Sequence, residues 1–74
     1  LDKSEEAVHV YDDFISQFKD SKNEEIQVGM AKAYVNKGFR LGVLDKSEEA
    51  VHVYDDFISQ FKDSKNEEIQ VGMA

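Results

Sequence analysis

With 74 residues, the chain can form one small unit that buries only about 60% of its unfolded surface, so its core is marginal without further support. The absence of Cys excludes a disulfide-stapled framework, and no apolar run nears the roughly 20 residues of a membrane span. The net charge of −7 is unevenly placed, −2 over residues 1–43 and −5 over residues 44–74, because the later part has no counterpart of the basic segment Lys32–Val43. That origin of the acidity argues against a general role for charge, and neither nucleic acid nor membrane is expected as a partner.

Pro is absent and Gly occurs only at positions 29, 38, 42 and 72, which favours long helices over short strands. The first expected helix covers about 4–19, with apolar residues from Ala7 to Phe18 recurring at spacings of three and four. Asp20-Ser21-Lys22-Asn23 breaks this pattern, and Ser21 with Glu24 has capping-box spacing. The second helix is expected over 23–43. Ile26, Met30, Tyr34 and Leu41 form its main stripe, Ala31, Ala33 and Phe39 lie alongside, and small residues allow close approach of a neighbour. The third is expected over 46–62, with a broad stripe of Ala50, Val51, Val53, Tyr54, Phe57, Ile58 and Phe61. Asp45 and Glu48 have capping-box spacing there, and Ser47 is a competing cap. A C-terminal helical stub is expected from about residue 66.

Residues 1–31 recur letter for letter as residues 44–74, a period of 43 residues. Identity of this length implies either a very recent duplication or deliberate design. A period between about 20 and 50 residues marks a solenoid, propeller or array. The chain therefore reads as one repeat-array fragment, with 1–43 as a first repeat and 44–74 as a truncated second.

Ala33-Tyr34, Lys37-Gly38, Glu49-Ala50 and Tyr54, with Met30 and Ala31 ahead of them, resemble the signature of the tetratricopeptide (TPR) repeat family in a lengthened variety. The departures are a period longer than about 34 residues, no Pro at the repeat end, and Gln27 where the family has Trp. About seven extra residues also lie between Gly38 and Ala50. The resemblance implies an all-α fold of antiparallel helix pairs stacked as a right-handed superhelical solenoid. It also implies a non-enzymatic scaffold for protein or peptide partners, without cofactors.

Catalytic constellations are poor. His9 and His52 are copies of one position, and His52 with Asp55 and Asp56 makes only a weak two-ligand metal pattern, so no metal is expected. The acidic pairs Glu5-Glu6, Asp12-Asp13 and Glu24-Glu25 flank helix starts or lie on polar faces, where solvent keeps a carboxylate ordinary. Gly38 and Gly42 precede no Lys-Ser/Thr pair that would cradle phosphate. The best candidate is the stripe Glu25, Val28, Lys32, Asn36 and Arg40, spaced three or four apart. By the resemblance it lines a concave groove, where Lys32, Asn36 and Arg40 would donate to an acidic peptide. Val28 stands where the family's carboxylate-clamp members carry Lys, so a clamp is not expected.

A second expectation is a structural repeat that associates head to tail with itself. The surfaces expected to be exposed are Val8, Tyr11, Phe14 and Ile15 at one end, and Ile69 and Met73 at the other. With no signal-peptide order in Leu1-Asp2-Lys3-Ser4-Glu5-Glu6, the expected location is the cytoplasm.

Overall fold

The computed structural model describes the backbone of residues 2–73 and the side-chain surroundings of residues 2–72. Four helices follow in order: α1 (Lys3–Phe18), α2 (Glu24–Val43), α3 (Ser47–Phe61) and α4 (Glu67–Met73). No strand occurs among the described residues, and each helix starts and stops within one residue of its expected position. No helix of the described residues is long and apolar enough to cross a membrane.

The longest helix, α2, is the centre of the packing. It contacts α1, α3 and α4, whereas α1 touches no helix but α2, and α4 bridges α2 and α3. Met30, Tyr34 and Leu41 on α2 join Val53, Phe57 and Phe61 on α3 and Ile69 on α4 in one buried cluster. Each such side chain contributes about 1.5–3 kcal/mol through burial. Ala31, Ala33 and Gly38 are buried on α2 as well, where their small size lets flanking helices approach. The Tyr34 ring stacks on Phe57 at 6.2 Å and meets Phe61 edge-on at 6.2 Å. Its hydroxyl donates to Gln60 Oε1 at 2.6 Å, so the one polar atom of this ring is satisfied.

The turns after α1 and α3 have identical sequences and closely similar construction. Asn23 caps α2 by accepting from the Ile26 N–H at 3.1 Å, and Asn66 caps α4 by accepting from the Glu68 and Ile69 N–H groups. Ser21 Oγ accepts from the Asn23 N–H and Ser64 Oγ from the Asn66 N–H, both at 3.2 Å. The Gln27 and Gln70 amides donate back to the Ser21 and Ser64 carbonyls. The expected Ser21 cap is thus corrected: Asn23 lies closer to the helix, and Ser21 shapes the turn that presents it.

The starts of α1 and α3 differ despite their shared sequence. Asp2 is extended and accepts from the Glu5 N–H at 2.8 Å, a side-chain cap. Its counterpart Asp45 instead has φ 61°, and α3 begins after Lys46 with no side-chain cap, so neither Asp45 nor Ser47 caps as expected. The cause is the end of α2. The Lys46 N–H donates to the Leu41 carbonyl at 2.8 Å and the Asp45 N–H to the Gly42 carbonyl at 3.0 Å. These two bonds form a Schellman motif, which requires a left-handed residue where Asp45 stands.

Burial corrects two further expectations. On α3, Ala50, Val53, Phe57 and Phe61 are buried, but Val51 is 57% exposed, Ile58 47% and Tyr54 37%. The stripe is wider than the area that α2 and α4 cover. The expected exposed ends are also largely covered. Val8, Phe14 and Ile15 pack half-buried against the core, Tyr11 is half-buried, and Ile69 is 1% exposed. The Met73 side chain lies outside the described residues. Phe39, expected beside the α2 stripe, faces outward instead.

Candidate functional site

The five residues of the expected groove all lie on α2, but they do not form one surface. Val28, Lys32 and Asn36 line a cleft between α2 and α4, of about 350 Å³, whose floor is Ala31, Val35 and Phe57. Glu25 and Arg40 are exposed and do not line it. The Arg40 guanidinium lies 5.7 Å from the Phe39 ring centre, a contact within its own helix. Such an exposed cation–π contact contributes about 0.5–1 kcal/mol.

The far wall of the cleft is α4, which supplies Glu68, Val71 and Gly72. Glu68 and Val71 are the second-copy counterparts of Glu25 and Val28, so the stripe does enter the cleft at these positions, from the next copy of the sequence. Lys32 Nζ lies 3.7 Å from Glu68 Oε2, and both side chains are exposed. A solvated pair of this kind is worth about 0–1 kcal/mol and yields readily to another anion. Glu68 could have been found from the sequence by asking which position of the next copy α2 would meet.

The cleft's walls are set by the packing beneath them. A Cβ on Gly72 would sit 3.3 Å from the Phe57 ring, and one on Gly29 would sit 3.3 Å from Phe14. Glycine at this position therefore brings α4 against α3, and α2 against α1, at the same close approach. The cleft is polar at its rim and apolar at its floor, a combination suited to an extended peptide with an acidic side chain near an apolar one.

A second cleft, of about 420 Å³, opens between α1 and α3 over α2 and brings His9 and His52 to one surface. Asp12 and Lys37, which form an ion pair, and Asp56 also line it, whereas Asp55 does not. The two histidines are copies of one position, and because α1 and α3 flank α2 both line this cleft while remaining exposed. Among the described residues, no three His, Cys, Asp or Glu side chains come together to hold a metal ion.

Burial raises the Tyr34 phenol above its ordinary pKa, and the negative charge of Asp56 adds to the effect. This residue lies in the core between α2 and α3, away from the cleft of Lys32.

The chain matches no protein-family model, no curated protein and no solved structure.

Proposed function

We propose that the chain is a non-enzymatic interaction module, a unit of a right-handed TPR-like solenoid that holds an acidic peptide in the cleft between α2 and α4. The observation that carries this reading is the composition of that cleft, where Val28, Lys32 and Asn36 stand around an apolar floor of Ala31, Val35 and Phe57. Lys32 is the cation that would meet a ligand carboxylate, displacing Glu68, and Asn36 would bond the ligand backbone. Cytoplasmic location is part of the same reading.

The test is titration of a labelled acidic peptide at low and high salt. Binding should be saturable, weaken with salt and disappear in Lys32→Glu, while Glu68→Gln should strengthen it by freeing Lys32. Binding that is indifferent to salt and to both substitutions returns the cleft to ordinary surface.

A second reading is a structural repeat that associates with other copies of the same sequence. It is favoured by the exposed Val51, Tyr54 and Ile58 on α3 and by Phe39 and Val43 on α2. Sedimentation over a wide concentration range checks it, and a monomer throughout would refute it.

A further inference from the structure

The sequence doubles the acid on either side of its histidine. Glu5-Glu6 and Asp12-Asp13 flank His9, and Glu48-Glu49 and Asp55-Asp56 flank His52. The cleft between α1 and α3 uses one acid of each pair. One wall is Glu5, His9 and Asp12 of α1, and the other is Glu49, His52 and Asp56 of α3. The two walls are not copies of each other, since Glu49 and Asp56 correspond to Glu6 and Asp13. At helical spacing, Glu5 and Asp12 lie to one side of His9, and Glu49 and Asp56 to the opposite side of His52. The doubled acids therefore give the same helix sequence a carboxylate on whichever side meets the cleft.

Both walls stand on α2, which α1 and α3 contact without touching each other, and all of the lining falls within residues 5–56. The floor is apolar, with Leu41 and Val53 buried and Val8 and Leu44 half-buried. Lys37 is paired with Asp12, and Lys46 is the other cation of the lining. Four carboxylates thus face two lysines, a net charge of −2 with both histidines neutral. Glu5, Glu49 and Asp56 have no ion-pair partner among the described residues. The volume of about 420 Å³ is within the range of ligand clefts and suits a short segment of a larger partner.

From this charge complementarity we propose that the cleft between α1 and α3 docks a basic peptide segment in which cationic and apolar side chains alternate. Such a segment, extended along the cleft, turns its apolar side chains to the floor of Leu41 and Val53. Its cations then reach Glu5 on one wall and Glu49 and Asp56 on the other. The cleft shares no lining residue with the cleft of Lys32, so the two sites stand or fall separately.

The experiment is titration of the full chain with a labelled peptide of alternating Arg and Val, with an alternating Glu and Val peptide as competitor. The expected result is saturable binding that weakens with salt and that the acidic peptide does not displace. Glu49→Lys or Asp56→Lys should weaken it by about tenfold or more. Glu48→Lys and Asp55→Lys make the same change of charge one residue away, outside the cleft lining, and should weaken it by no more than about twofold. Circular dichroism should show unchanged helix in all four variants, since all four side chains are exposed. Lys32→Glu should leave this binding in place. The proposal is overturned if the basic peptide does not bind saturably or if the acidic peptide displaces it. It is equally overturned if the four variants act alike, which would mark a general attraction of cations to an acidic chain.

Discussion

Asp2 and Asp45 occupy the same place in the repeated sequence, and the substitution Asp→Gly should act on them with opposite sign. Asp45 sits at φ 61° in the Schellman turn after α2, a conformation that costs an L-residue about 1–2 kcal/mol and glycine nothing. Glycine also frees the unfolded chain, at a cost of about 0.4–1 kcal/mol, so Asp45→Gly should stabilise by about 0.5–1 kcal/mol. Asp45 is exposed and its side chain caps nothing, so no packing change interferes. Asp2 has an ordinary negative φ, and its carboxylate accepts from the Glu5 N–H at 2.8 Å. Asp2→Gly should therefore destabilise by a few tenths of a kcal/mol, rising to about 1 for Asp2→Ala. Thermal unfolding followed by circular dichroism resolves this, because 1 kcal/mol moves Tm by about 4–8 °C in a domain of this size. A lower Tm for Asp45→Gly, or a shift of the same sign at both sites, would refute the assignment of different roles to the two aspartates.

Two other outcomes follow from burial. Phe57→Ala should cost about 3–5 kcal/mol in urea unfolding and Val51→Ala no more than about 0.5, despite their common place in one apolar stripe; equal costs would contradict the sidedness of α3. For Tyr34, the raised folded-state pKa exceeds the unfolded value of about 10, so its contribution is intact below that pH and is lost as pH rises through the folded value. Tyr34→Phe should lose about 1 kcal/mol at neutral pH with the Gln60 hydrogen bond, and should lose less stability than the unaltered chain between neutral pH and the alkaline range.

The sequence by itself determined where the helices run. Apolar spacing, the absence of Pro and the breaks at 20–23 and 63–66 act within a few residues, so they yield α1 to α4 within one residue at each stated boundary. It also determined the turns at 21–27 and 64–70, since Ser, Asn and Gln bond to backbone close by in sequence. Local chemistry of this kind is the same in both copies. What lay beyond a few residues was decided by tertiary structure. The apolar stripe of α1 and α3 is broad enough for two neighbours, and periodicity records that breadth without recording which neighbour is present. Only the packing shows Val8 and Ile15 drawn against the core while Val51 and Ile58 stay exposed. The same applies to the candidate site: helical spacing grouped Glu25 and Arg40 with Lys32, but the cleft is closed from across by Glu68 and Val71 of α4. Asp2 and Asp45 give the most direct case. One residue in one local sequence caps a helix where its own backbone is extended, and turns left-handed where the carbonyls of Leu41 and Gly42 need donors.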